Sequence, residues 1–223
     1  MQIAKSLLIL FTILLVSFNA KAQKFHFGAT LNLGASKVTS PLLASTEVRY
    51  SPSGNVGFYA EKAIKGKTTI GINLLWVQIE GRDIDKNQEL YGSSGQWEIL
   101  EKIGTATVDS RLHATYIGIP AYVRFQSGKF GLKLGIQTLI FVHANAINKI
   151  DGVKYGQPFS AKSTYKSVEL NLFDWGPKAG IDYPIGKKFR LNLDYYFGIG
   201  RTKSVLKGRQ NRQATLGVSY QFQ

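Results

Sequence analysis

The chain contains no cysteine. Disulfide bonds, thiolate metal sites and thiol catalysis are therefore excluded, as is a lipid anchor on an N-terminal cysteine. Acidic residues are also scarce, at 14 against 28 lysines and arginines, which gives a net charge of +14. A balance this basic raises the question of nucleic-acid binding. The N-terminal sequence argues against that interpretation.

Long hydrophobic runs are missing except near the N-terminus. There Lys5 precedes an apolar run at residues 6–18, and Asn19-Ala20-Lys21-Ala22 follows. This is the plan of a secretory signal peptide, and the run is shorter than the ~20 residues that span a membrane as a helix. We expect cleavage after Ala22, so that residues 1–22 are the signal peptide and residues 23–223 form one domain. Membrane insertion elsewhere would require strands.

For an exported protein we expect no nucleic-acid partner. The basic residues are scattered over turns and loops rather than gathered in one stripe. Anionic groups of outer-membrane lipids, lipopolysaccharide phosphates among them, are the expected counter-charges. No protein partner is indicated, and we expect a monomer.

Alternation of apolar and polar residues is the feature that the sequence has in abundance. Residues 116–137 read YIGIPAYVRFQSGKFGLKLGIQ, with every second residue apolar on both sides of Ser127-Gly128-Lys129. This pattern predicts a β-hairpin. The same alternation recurs in eight segments: residues 24–37, 55–64, 68–79, 116–125, 130–143, 168–183, 189–200 and 213–222.

Short and long connections alternate between these segments. The short turns are Lys65-Gly66-Lys67, Ser127-Gly128-Lys129 and Gly186-Lys187-Lys188. The long connections are residues 38–54, 80–110, 144–167 and 202–211. This asymmetry is typical of transmembrane barrels. We therefore predict an all-β fold, an eight-stranded antiparallel up-and-down transmembrane β-barrel, in the outer membrane of a Gram-negative bacterium.

Three positions interrupt the pattern. Pro120 and Pro177 cannot donate to a ladder, and a closed barrel has no edge strand to accommodate them. We expect a β-bulge at each proline. The alternation also slips at Leu172-Phe173, where we expect a third bulge.

The orientation of the two faces follows from aromatic and charged residues. A soluble barrel would show the same alternation with its apolar face inside. Here the aromatic residues of the apolar face gather near strand ends, as in the girdles of membrane barrels. They are Phe25, Phe125, Phe130, Tyr183, Phe189, Tyr220 and Phe222. The polar face carries charges that can pair in a narrow lumen. We predict a lumen charge network of Glu61, Arg124, Lys133, Lys178, Asp182, Arg190 and Asp194.

Several short motifs together resemble a known family. They are Phe27-Gly28, the Tyr116-Ile117-Gly118-Ile119-Pro120 strand, Lys133-Leu134-Gly135 and the final strand from Gly217 to Phe222, with Gln23 directly after the cleavage site. With these residues the barrel segments resemble the PorT-like outer-membrane β-barrel family of Bacteroidetes-type bacteria. The resemblance implies an eight-stranded barrel without a cofactor and without a known activity for most members. The final Gln223 departs from the usual terminal aromatic residue.

No metal or calcium motif is complete. His26, His113 and His143 lie on different segments without metal-ligand spacing. Asp83-x-Asp85-x-Asn87-x-Glu89 has alternating oxygen ligands but lacks the glycine and the final glutamate of an EF-hand loop. We interpret it as a solvated acidic segment, with a weak calcium site as the alternative.

The leading functional hypothesis is a non-enzymatic barrel that presents extracellular loops for envelope integrity or surface interaction. A small-solute channel is one alternative, although eight strands leave a lumen that side chains can fill. A lipid A-modifying enzyme is the other. It would need His113 or His143 at the rim with a nearby serine and Glu169 or Asp174.

Overall fold

The structure, a computed structural model, describes residues 25–39, 47–94, 99–168, 170, 172–199 and 210–222. The expected cleavage site at Ala22 and most of the basic loop 202–211 lie outside these residues. The described strands are β1 Phe25–Thr39, β2 Glu47–Arg49, β3 Ser51–Lys65, β4 Thr68–Ser94, β5 Ile99–Ser127, β6 Phe130–Lys154, β7 Gln157–Tyr165, β8 Phe173–Ile185, β9 Phe189–Phe197 and β10 Gln210–Gln221.

Eight of the strands close into a ring. Antiparallel pairing runs in the order β4-β3-β1-β10-β9-β8-β6-β5, and β5 pairs with β4 to complete the circle. The remaining strands, β2 and β7, pair only with β4 and β6 among the described strands. Within the described ranges, no helix is long and apolar enough to cross a membrane. The predicted eight-stranded antiparallel barrel is confirmed.

The ring has its apolar face outside. Leu33, Phe58 and Leu193 are more than half exposed, at 67%, 63% and 54%. Polar residues point inward, and Asn32, Gln137 and Asn192 are buried. An apolar outer surface suits acyl chains, and the inner polar groups can satisfy one another. The predicted orientation of the two faces is confirmed.

One rim carries the three short turns, and we call it the turn end. Gly66, Gly128 and Gly186 adopt positive φ there, at 58°, 58° and 68°, which a glycine permits without steric cost. The aromatic residues predicted to form a girdle gather at this rim. The Phe130 and Tyr183 ring centroids lie 5.3 Å apart, and those of Phe189 and Tyr220 lie 5.1 Å apart.

The opposite rim, the loop end, is built differently from the sequence prediction. In the predicted connection 80–110, residues 80–94 continue β4 and residues 99–110 belong to β5, and the two strands remain paired. The predicted connection 144–167 is the β6–β7 hairpin, with a turn at Tyr155-Gly156. In the predicted loop 38–54, β2 is present and β3 already begins at Ser51. The sequences of these segments mix polar and apolar residues without regular alternation, although Ile84, Ala106 and Leu112 are buried, so the sequence pattern does not mark them as strands.

Together β2, β7 and the outer parts of β4, β5 and β6 form what we call the projecting sheet. It comprises β2, residues 80–94, 99–113 and 145–154, and β7. The β4 part, Glu80–Ser94, corresponds to about 50 Å of strand at ~3.3 Å per residue. Among the described residues, the strands therefore extend furthest beyond the ring on the side of β4, β5 and β6.

None of the three expected bulges is found among the described residues. Pro120 pairs in register with Gln137, and Pro177 pairs in register with Ile136. The β4–β5 ladder has no pair opposite Pro120, yet its register is the same before and after the proline. The register of β8 against β6 is continuous from Phe173, where the strand begins. A missing N–H is thus accommodated by a gap in one ladder rather than by an extra residue.

Candidate functional site

All seven residues of the predicted charge network lie inside the barrel and form ion pairs. Asp182 and Arg124 make a bidentate pair, with Nε to Oδ2 at 2.7 Å and Nη2 to Oδ1 at 2.6 Å. Arg124 also donates to Gln126. The Asp182 side chain is fully buried and that of Arg124 is 11% exposed. The parallel fork matches the geometry of guanidinium and carboxylate.

A second group joins Glu61, Arg190 and two tyrosines. Arg190 Nη1 lies 3.0 Å from Glu61 Oε1 and 2.9 Å from Oε2. The Tyr122 hydroxyl donates to Glu61 Oε1 at 2.9 Å. The guanidinium of Arg190 also lies over the Tyr59 ring, 5.0 Å from its centroid. Cation–π contact and ion pairing therefore hold the same arginine.

A third group centres on Asp194, which two lysines share. Lys133 Nζ lies 2.8 Å from Oδ1, and Lys178 Nζ lies 3.6 Å from Oδ2. Lys133 also donates to Asn192 Oδ1 at 3.3 Å, and Asn192 Nδ2 donates to Ser219 at 2.7 Å. A polar cavity of about 10 Å³ lies between the second and third groups, which is space for one water molecule.

Two tyrosines pack over glycines on the neighbouring strand. Gly71 is paired with Tyr122, and Gly28 is paired with Tyr59. A Cβ at Gly71 would lie 2.4 Å from Tyr122 Cζ, and one at Gly28 would lie 2.3 Å from Tyr59 Cζ. Each ring therefore lies flat against the inner wall and fills the lumen where the wall has no side chain.

The loop-end half of the lumen is filled by apolar side chains, which the sequence analysis did not find. Buried residues of β4, β5, β6 and β9 pack together there, among them Leu75, Val77, Ile79, Leu139 and Tyr196. On β4 these alternate with the lipid-facing Leu74 and Trp76, so both faces of that strand are apolar. The sequence signal for these inward apolar residues is the uninterrupted apolar run at residues 74–77, in which no polar residue alternates.

Two described residues of the connection from β7 to β8 cover this apolar group. Val168 and Leu170 pack against it. The Val168 amide donates to the Ala144 carbonyl at 3.0 Å, and the Phe141 amide donates to the Leu172 carbonyl at 2.9 Å. Ion pairs thus fill the turn-end half of the lumen. In the loop-end half, apolar side chains pack beside buried polar ones such as Asp174 and Gln213.

The projecting sheet carries its own ion pairs, on the face continuous with the outside of the barrel. Arg82 forms a bidentate pair with Asp109, with Nε to Oδ1 at 2.9 Å and Nη2 to Oδ2 at 2.7 Å. Hydrogen bonds from Arg82 hold the pKa of Asp109 below its ordinary value. Lys149 pairs with Asp151 at 2.7 Å. The Arg82–Asp109 pair links β4 to β5, and the Lys149–Asp151 pair links two positions within β6.

The histidines do not converge. His26 lies 2.9 Å from Gln221 in the lumen, and His113 lies 3.4 Å from Glu80 on the outer face. His143 is exposed on β6. Within the described residues, no three His, Asp or Glu side chains gather in a metal-binding arrangement. Residues 83–89 belong to β4 rather than to a loop.

Residues 20–204 match the family model of the outer membrane protein beta-barrel domain. The chain belongs to this family. Membership agrees with the closed ring and its apolar outer surface, and it points to the outer membrane. No curated protein matches the sequence.

Three solved structures with a similar fold are distant from this chain in sequence. Ail, the attachment invasion locus protein of Yersinia pestis, in complex with the heparin analogue sucrose octasulfate, is 12% identical, with a TM-score of 0.41 over 89% of this chain and 99% of that one. Neisserial surface protein A is 14% identical, with a TM-score of 0.41 over 88% and 97%. The outer membrane protease OmpT of Escherichia coli is 8% identical, with a TM-score of 0.41 over 91% and 99%.

Proposed function

We propose that the protein is a closed, non-enzymatic outer-membrane barrel that holds the projecting sheet outside the cell, where the sheet serves surface interaction or envelope integrity. The observation that carries this proposal is the contrast between a filled lumen and a long, solvated sheet. A barrel with ion pairs in one half and closely packed apolar and polar side chains in the other has no room for a solute path. Its accessible surface lies in the projecting sheet.

The remaining features of the proposal concern export and surroundings. The turn end faces the periplasm, since short turns take that side in bacterial barrels. The signal peptide is removed after Ala22, and the monomeric barrel contacts outer-membrane lipids, including lipopolysaccharide, without a cofactor. The finer assignment to PorT-like proteins rests on the strands that contain Phe27-Gly28 and residues 116–120.

Three measurements test the proposal. In planar bilayers the wild-type protein should show no stable conductance, because the lumen is filled. Stable, sizeable wild-type channels would favour a small-solute channel instead. On intact cells, an epitope inserted at Gly156 should be labelled by antibody, whereas one inserted at Gly128 should be labelled only after permeabilisation. The reverse pattern would refute the orientation. A change in the mass of lipid A when the protein is overexpressed would favour the alternative of a lipid A-modifying enzyme.

A further inference from the structure

The outermost strand of the projecting sheet has one unpaired edge. Among the described strands, β7 pairs only with β6, over nine residue pairs from Lys154↔Gln157 to Ala146↔Tyr165. Its residues are exposed except Phe159, which is half-buried. Strands with free N–H and C=O groups of this length are templates for the addition of another strand.

The register tells which backbone groups are free. Tyr155 and Gly156 have φ of 51° and 76°, so the β6–β7 turn is a two-residue type I′ turn. Lys154 and Gln157 next to it exchange both hydrogen bonds, and alternate positions then point away from β6. The outward set is Pro158, Ser160, Lys162 and Thr164. Ser160, Lys162 and Thr164 therefore each have an N–H group that points away from β6, whereas Pro158 has no N–H group.

The charge around this edge is one-sided. Residues 146–166 contain four lysines and one aspartate, a net charge of +3. The aspartate, Asp151, is already paired with Lys149 and accepts a hydrogen bond from Ser160. In the described part of the chain, no carboxylate forms an ion pair with Lys162. Two copies joined at this edge would bring their Lys162 side chains together, which disfavours self-association.

We infer that the β7 edge is a docking site for an extended, acidic segment of a partner protein, which adds as a further strand. The inference rests on the proposed function, because it requires the projecting sheet to lie outside the cell. Main-chain hydrogen bonds to Ser160, Lys162 and Thr164 supply affinity, and the lysines select acidic side chains.

The test uses the purified full-length barrel in nanodiscs and a labelled peptide, Thr-Glu-Val-Glu-Val-Glu-Val-Glu-Thr, followed by fluorescence anisotropy. Thr164→Pro removes an outward N–H and keeps the charge, and Lys162→Gln removes the charge and keeps the N–H. Each variant should weaken binding at least tenfold. Lys67→Gln, on a turn at the other rim, is the control for an equal change of charge and should bind like the wild type.

Native Pro158 shows that an outward position accepts proline, and folding of each variant is checked by heat-modifiable gel migration. Ser160→Pro replaces Thr164→Pro if the latter does not fold. Absence of wild-type binding, or equal binding by the proline variant, would overturn the inference. An unaltered affinity in Lys162→Gln would overturn the acidic selectivity. If the Gly156 epitope is not reached on cells, the proposed function fails whatever the peptide does, so the two failures are distinguishable.

Discussion

On the side of the lumen built by β4 and β6, the two halves fill the space with opposite chemistry. In the turn-end half, inward positions carry seven charged residues arranged as three groups of ion pairs. In the loop-end half, equivalent inward positions on β4 and β6 carry Leu75, Val77 and Leu139, which are at most 2% exposed. Both halves exclude solvent, but a substitution lowers the stability for a different reason in each half.

A charged layer is sensitive to the loss of one partner, whereas an apolar layer is sensitive to lost volume. Removing one member of a buried ion pair leaves an uncompensated charge, and the whole desolvation penalty then falls on the partner. Removing methyl groups from an apolar cluster costs an amount that grows with the cavity left behind. Substitutions in the two halves can therefore be distinguished by the second substitution that restores the lost stability.

The largest effect is expected for Asp182→Asn. It leaves Arg124 unpaired in the lumen and should lower the free energy of unfolding by about 3–5 kcal/mol. Urea unfolding in detergent micelles, followed by tryptophan fluorescence, measures this loss. The double variant Arg124→Gln, Asp182→Asn should recover most of it, because no buried charge remains. Equal losses in the single and double variants would show that the pair acts through packing alone.

The apolar half is tested by two adjacent leucines. Leu75→Ala should cost about 3–4 kcal/mol, because the lumen cannot close over the lost atoms. Leu74→Ala, on the lipid face and 40% exposed, should cost about 1–2 kcal/mol less, since acyl chains fill the gap and no cavity forms. The same unfolding assay compares them. Equal costs would mean that the loop-end half of the lumen is loosely packed.

The same contrast explains what the sequence could predict. Alternation requires one apolar environment and one polar one, which holds for the ring at its turn end. There the eight strands, the short turns and the inward position of charges such as Arg190 and Asp194 were all readable. Which cation meets which carboxylate was not readable, because pairing depends on the stagger between strands.

Two regions escaped prediction because neither shows a regular alternation of apolar and polar residues in the sequence. The outer part of β4, with Asp83 and Glu89, is mostly polar and so resembles a loop. Its inner part, from Leu74 to Val77, is apolar on both faces, which hid the inward side chains. The prolines were misread for a different reason: a ladder can skip one pair at Pro120 without a change of register.

A smaller effect is expected where a ring and a glycine share space. Gly71→Ala places a Cβ 2.4 Å from the Tyr122 ring, which Glu61 holds in position. Overpacking of this kind costs about 1–3 kcal/mol. In a Tyr122→Ala background the same substitution should be nearly neutral, because the ring is gone. A cost that persists in that background would place the strain in the backbone.

The smallest effect concerns the projecting sheet, where charges are partly solvated. Asp109 has a lowered pKa because of its hydrogen bonds with Arg82, so the pair adds stability above the unfolded pKa of Asp109, near 3.8. That stability is lost as the pH falls through the still lower folded pKa. Asp109 is 19% exposed and Arg82 31%, so screening limits the contribution to about 1 kcal/mol or less.

Hydrogen exchange of the β4–β5 amides near residues 82 and 109, measured between pH 5 and pH 2.5, should show weaker protection at the acid end after correction for intrinsic rates. Asp109→Asn should have the weaker protection throughout and no pH-dependent step, because it cannot ionise. Exposed Asp151, which pairs with Lys149 on the same sheet, provides the matched control, since Asp151→Asn should leave the step intact. A step that survives in Asp109→Asn would assign the acid sensitivity of the projecting sheet to another carboxylate.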